Sequence, residues 1–203
     1  MLKLLVFFTL VIVVSSIKFQ LSAQNVIVNM HNTLRSKIAK GTYVAKGTRH
    51  GPATNMRVLT WDNTLAAQAE RHAMSQQKGH SAGCRNGQYG ENMWWYFSPT
   101  PISNVNEYVA KACAGWESEF QDYGWRNAND LDGRILHATQ MAWASSYQIG
   151  CGGAIYREGK WNKVMIVCQY KVKGNMHGTP AYKLGRTASD CRFKTGQGLC
   201  SKM

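Results

Sequence analysis

The stretch QIGCGGAIYREGKWNKVMIVCQYK, residues 148–171, decides the architecture of this chain. Two strand-like runs, 148–157 and 161–171, flank Glu158-Gly159-Lys160, a hairpin signal. In the second run Val164, Ile166, Cys168 and Tyr170 share one face, and Met165, Val167 and Gln169 share the other. Both faces are largely apolar, and a strand that is apolar on two sides needs cover on two sides. The reading is an α+β protein, an α-β-α sandwich with helices above and below one sheet.

The covering helices lie upstream. Residues 24–40 place Val26, Ile27, Met30, Leu34 and Ile38 near helical spacing and stop at Gly41. Residues 61–77 form the clearest helix, with Asp62 as its cap and a narrow stripe of Leu65, Ala66, Ala69 and Ala73. Further helices are expected over 104–120 and 135–144. Residues 42–60 read as a Gly- and Arg-rich loop, and the final stretch lacks periodicity.

The N-terminus reads as an export leader. Lys3 precedes an apolar run from Leu4 to Val14 that is too short to span a bilayer, and small residues at Ser16 and Ala23 offer cleavage positions. Ala23 is the expected boundary, so residues 1–23 are the leader. What remains is secreted and extracellular, with no transmembrane anchor. It carries 22 basic against 11 acidic residues, a net +11. Such a charge invites acidic partners. The basic residues are dispersed, however, and no zinc-finger, RNP-like or helix-turn-helix pattern is present, which excludes nucleic acid.

Six cysteines, Cys84, Cys113, Cys151, Cys168, Cys191 and Cys200, remain in the exported part, and an even count in that compartment reads as disulfides. Proximity suggests Cys191–Cys200 as a tail clip and Cys151–Cys168 across the hairpin. Cys84–Cys113 follows by elimination, with Cys84–Cys151 plus Cys113–Cys168 as the rival pairing.

Three segments combine polar and aromatic residues beyond what a core needs: Gly79-His80-Ser81 with Gly90-Glu91-Asn92, then Trp116-Glu117-Ser118-Glu119, then His137-Ala138-Thr139-Gln140-Met141-Ala142-Trp143. On these motifs the chain resembles the CAP superfamily of cysteine-rich secretory proteins, antigen 5 and pathogenesis-related protein 1. His31-Asn32-x-x-Arg35 and Tyr170 with Gly174-Asn175 fit as well, although the aromatic usual after the signature histidine is Ala138 here. The chain looks most like the venom allergen-like proteins secreted by parasitic nematodes. The resemblance, rather than periodicity, implies a domain from 24 to 182, and an extended, cysteine-containing tail follows over 183–203.

The resemblance implies the CAP fold, with a central cleft into which His80, His137, Glu91 and Glu119 project, able to hold a divalent metal ion, zinc or magnesium. Imidazoles suit zinc, and carboxylates can bind it or orient the rings. The alternative for these four is a hydrogen-bonded network that fixes the sandwich, with Glu119 a surface acid. Catalysis lacks parts: no Gly-x-Ser-x-Gly elbow and no His-Glu-x-x-His are present. No catalytic residue is assigned, and a metal-dependent hydrolase is kept as the competing reading.

The run Trp94-Trp95-Tyr96-Phe97, closed by Ser98-Pro99-Thr100-Pro101, is the other unusual feature. Four consecutive rings cannot all point inward from a strand, so some line a groove or a ligand-facing loop. The resemblance implies sterol there and fatty acid between two helices, in a non-enzymatic protein that modulates host immunity. Binding to a host receptor or an acidic polysaccharide is the remaining alternative.

Overall fold

The hairpin around Gly159 forms the middle of a four-stranded sheet. The structure is a computed structural model and describes residues 18–202, so the apolar run Leu4–Val14 lies outside the described residues. In chain order the elements are α1 (Leu21–Ala39), β1 (Val44–Ala45), β2 (Thr48–Arg49), β3 (Thr60–Trp61), α2 (Asn63–Met74), α3 (Ala82–Arg85) and β4 (Gly90–Ser98). A 3₁₀ turn, Val105–Tyr108, leads into α4 (Val109–Asp122), followed by α5 (Leu136–Met141), β5 (Gln148–Glu158), β6 (Trp161–Lys171), β7 (Phe193–Lys194) and β8 (Cys200–Lys202).

The main sheet runs β3-β5-β6-β4. β5 and β4 flank β6 antiparallel, while the short β3 adds in parallel to β5. The two faces of β6 go where their side chains require. Val164, Ile166, Cys168 and Tyr170 join the large core with Leu34 and Ile38 of α1, Trp116 and Phe120 of α4, and Met141 of α5. Met165 and Val167 join a second cluster with Ala69 and Ala73 of α2. This is the three-layer sandwich. The small stripe of α2 lets it lie very close to β5: a Cβ on Gly150 would meet Ala66 N at 2.2 Å, and one on Gly152 would meet Glu70 Cα at 2.3 Å.

The helix ends differ from the periodicity for local reasons. Asp62 caps α2 as expected, accepting from Leu65 N at 2.8 Å, but Trp61 before it is drawn into β3 by pairing with Ile149. The segment 104–108 opens as a 3₁₀ turn, its start fixed by the Asn104 side chain accepting from Asn106 N at 3.1 Å. α1 begins at Leu21, before residue 24, because Phe19 is buried in the large core and the Gln20 amide donates to Asn106 Oδ1.

Two disulfides form. Cys151–Cys168 joins directly opposed residues of β5 and β6, and Cys191–Cys200 clips the tail, whose Leu199 and Cys200 are buried in or beside the large core. The expected third pair does not form: Cys84 and Cys113 are both free and buried. The reason is placement. Cys113 lies on α4 inside the large core, whereas Cys84 sits on α3 in the wall of a cleft.

Candidate ligand cleft and aromatic recess

The cleft lies where β4 and α5 begin, and α3 closes its side. Its lining includes His80, Cys84, Glu91, Asn92, His137 and Lys173, around a volume of about 380 Å³. Each histidine is held by one acid. His80 donates Nδ1–H to Glu91 Oε1 at 2.9 Å, and His137 donates Nδ1–H to Glu119 Oε1.

Glu91 is the second residue of β4, and its side chain is fully buried. A buried carboxylate needs donors, and it has them: Ser81 N at 2.9 Å, Ser81 Oγ at 2.6 Å and Gln169 Nε2 at 2.9 Å, besides His80. Burial alone pushes its pKa up, but the donors from His80, Ser81 and Gln169 outweigh it and bring the value to about 2. The His80 imidazole is raised to about 9, first by its hydrogen bond with Cys84 and then by that with Glu91.

Glu119 is not a surface acid. Its Oε2 accepts from the backbone N–H groups of His137 and Ala138, each at 3.0 Å, so the carboxylate caps the start of α5 while Oε1 orients the His137 ring. Negative charge at a helix start is favourable, since the first N–H groups have no partner inside the helix. In both pairs the acid holds and orients the ring through Nδ1.

The neighbouring motif residues build rather than bind. Thr139 Oγ1 donates to Asn175 Oδ1 at 2.7 Å, Gln140 Oε1 accepts from Gly174 N at 2.8 Å, and Trp143 is buried in the large core. Asn92 Nδ2 donates to the carbonyl of His137 at 3.0 Å and thereby ties β4 to α5. The structure thus places His80, Glu91 and His137 in the lining of one cleft, with Glu119 behind His137, as two histidine–acid pairs. It adds Cys84, which sequence reasoning set aside because a cysteine in an exported chain reads as half of a disulfide.

The aromatic run lies on a strand, not in a loop. β4 alternates, so Trp94 and Tyr96 pack against the large core beside Tyr108, while Trp95 packs against the α2-side cluster. Trp95 and Phe97 line a recess of about 380 Å³ with Tyr156, Lys78 and Lys163. Phe97 is 50% exposed, and the Lys163 ammonium lies over its ring at 4.6 Å. The rim carries mixed charge, because Lys163 is paired with Glu158 and Lys78 Nζ stands 3.8 Å from the same carboxylate. Of the four expected lipid contacts, two therefore face the recess. Tyr156 and Lys163 join them from β5 and β6, a contribution that only the sheet register reveals.

The Cysteine-rich secretory protein family, CAP, matches residues 28–170, which includes His80, Glu91, Glu119 and His137 and the strand β4. The chain belongs to the CAP family. Among relatives, this CAP protein is 34% identical over 167 residues to venom allergen 5.02 of Dolichovespula maculata, covering 79% of this chain and 76% of the relative. Among solved structures, it superposes on BmVAL-1 with a TM-score of 0.80 and 31% identity, covering 90% of this chain and 95% of that one. It superposes on NaASP2, solved with Zn2+, with a TM-score of 0.78 and 26% identity, covering 90% and 97%. Against a CRISP/Allergen/PR-1 protein of Trittame loki, 32% identical over 179 residues, the chain spans 43% of the relative's length.

Proposed function

We propose that this CAP protein is secreted, is not an enzyme, and binds a sterol in the Trp95–Phe97–Tyr156 recess. The observation that carries the reading is an open, three-ring apolar recess with a mixed-charge rim. Removing apolar surface from water contributes roughly 0.8 kcal/mol per CH₂ group, so partial burial of a sterol skeleton reaches micromolar affinity, about −8.2 kcal/mol. A rim in which Glu158 accepts and Lys78 donates suits a neutral hydroxyl. A fatty-acid carboxylate, in contrast, would stand beside the negative charge of Glu158.

Export is supported by the leader pattern and the two disulfides, and no helix among the described residues is long and apolar enough to cross a membrane. Export of a lipid-binding, strongly basic protein is compatible with host modulation through a receptor or an acidic polysaccharide. The non-enzymatic reading is supported by Ser81, whose hydroxyl donates to Glu91 rather than to a histidine, and a carboxylate whose pKa is held at about 2 is a weak base for activating it.

The test is saturable binding of radiolabelled cholesterol, with palmitate as competitor, to the oxidised protein. Trp95→Ala and Phe97→Ala should each weaken binding several-fold, while the exposed control Phe193→Ala leaves it unchanged. Absence of saturable cholesterol binding sinks the lipid reading and favours recognition through the basic surface.

A divalent ion in the cleft is the second reading, favoured by two imidazoles, His80 and His137, in the lining of one cleft. NaASP2 has been solved with Zn2+, and the donor set here suits such an ion. Binding of Zn2+ measured by equilibrium dialysis tests it, and cholesterol binding should not change when a chelator is added.

A further inference from the structure

The cleft holds a feature that neither reading uses: a free thiol at its wall. Cys84 follows His80 by four residues, and its carbonyl accepts from Lys173 Nζ at 2.9 Å, which fixes this turn of α3 against the far side of the cleft. The ligand atoms of His80, Cys84 and Glu91 lie within 4.8 Å of one another. His137 lines the same cleft but stands outside this group.

We propose that the metal site of this chain is a thiolate site, with Cys84, His80 and Glu91 as ligands and zinc as the preferred ion. The inference rests on the cleft holding a cation and names which atoms hold it. A tetrahedral zinc bound at about 2.0–2.3 Å needs its ligand atoms roughly 3.3–3.8 Å apart, so an inward shift of about 1 Å by these side chains closes the site. The His80 side chain is 47% exposed, which gives it room to turn and the ion a way in. Glu91 keeps its hydrogen bonds from Ser81 and Gln169 when it exchanges His80 for the metal, and those bonds aim its oxygen. The fourth position faces the open cleft and takes water.

Sulfur decides the choice of ion. A thiolate prefers zinc and its softer relatives, whereas magnesium and manganese prefer all-oxygen or oxygen-rich shells. The other use of a cysteine beside a histidine, as a nucleophile, needs oxyanion donors. One backbone donor in the cleft lining, Gly174 N, is already committed to Gln140.

The test is a Co2+ titration of the full secreted protein, followed in the near ultraviolet for thiolate-to-cobalt charge transfer, with parallel dialysis against Zn2+ and Mg2+. The band should form in the wild type, in Cys113→Ser and in His137→Ala, and be absent in Cys84→Ser. Zn2+ should bind at least tenfold more tightly than Mg2+, and Cys84→Ser should lose at least tenfold in Zn2+ affinity while its circular dichroism is unchanged. Metal bound without the band in the wild type, or a band that persists in Cys84→Ser or vanishes in His137→Ala, overturns the ligand assignment and leaves a cation in the cleft. Failure to bind either Co2+ or Zn2+ overturns both. The wild-type spectrum decides even if a variant does not fold.

Discussion

Tyr170 donates its hydroxyl hydrogen to His31 Nε2 at 2.9 Å, joining the last core strand to the first helix across 139 residues of chain. His31 Nδ1–H in turn donates to the Ile27 carbonyl at 2.8 Å, and Asn92 Nδ2 donates to the Tyr170 oxygen at 3.1 Å. Full burial favours the neutral imidazole, and in that form Nε2 accepts from Tyr170 while Nδ1–H donates to Ile27. Burial, aided by the nearby Arg35 charge, lowers its pKa to about 4.

The first prediction concerns pH. The folded pKa of His31 lies below the unfolded value of about 6.5, so between about 6.5 and 4 the unfolded chain binds the extra proton. Stability from this group is fully present above about pH 6.5 and is lost as pH falls toward 4, by up to roughly 3 kcal/mol. Urea midpoints measured between about pH 7 and pH 5 should fall with acidification, and the slope should flatten in His31→Gln. An identical slope in the two proteins would show that another group controls acid sensitivity.

Arg35 gives the second. It is fully buried and donates to the carbonyls of Arg57, Met141, Trp143, Ala144 and Ser146, at distances from 2.6 to 3.2 Å. One guanidinium thus secures the turn that carries the chain from α5 into β5. Arg35→Met should cost at least about 3 kcal/mol in denaturant unfolding, because these acceptors lose their donor. Arg35→Lys should recover little, since an ammonium cannot reproduce the fork. A loss below about 1 kcal/mol in Arg35→Met would refute this role.

Thiol chemistry supplies the third. Two groups should titrate in denaturant, from Cys84 and Cys113. In the native protein Cys84, which lines the cleft, should react first. Cys113 should stay protected, since burial, with a smaller contribution from Glu117, pushes its thiol up to about 12. A titration that finds no thiol would restore the third disulfide and remove the sulfur from the metal site.

The fourth concerns processing. We propose that the leader is removed at Ser16, the other small-residue position, rather than at Ala23. Phe19 and Ala23 are each 4% exposed and belong to the large core, and cutting after Ala23 would discard both along with the first residues of α1. Burying a phenylalanine is worth roughly 1.5–3 kcal/mol. Intact-mass measurement of the secreted protein should show Phe19 retained, and a chain that begins at Gln24 would count against it.

The sequence by itself determined the layers, because they depend on periodicity. The two apolar faces of β6 required helices on both sides, and the Asp62 cap and the small stripe of α2 were readable without coordinates. The hairpin and tail disulfides were legible for a similar reason, since each joins cysteines that are near neighbours in the chain. The cleft residues were legible only through their motif resemblance.

Tertiary structure alone decided the rest. β4 was hidden because Met93 to Phe97 is apolar at every position, and a period of two cannot show when both faces are greasy. Whether Cys84 is paired depends on distance, and a bridge requires Cα atoms within about 7 Å, which no spacing along a chain reports. The double duty of Glu119, capping α5 while orienting His137, likewise exists only because α4 and α5 pack together. Local propensity acts over neighbouring residues, whereas the partners of a buried thiol or carboxylate are chosen by the packing of elements far apart in sequence.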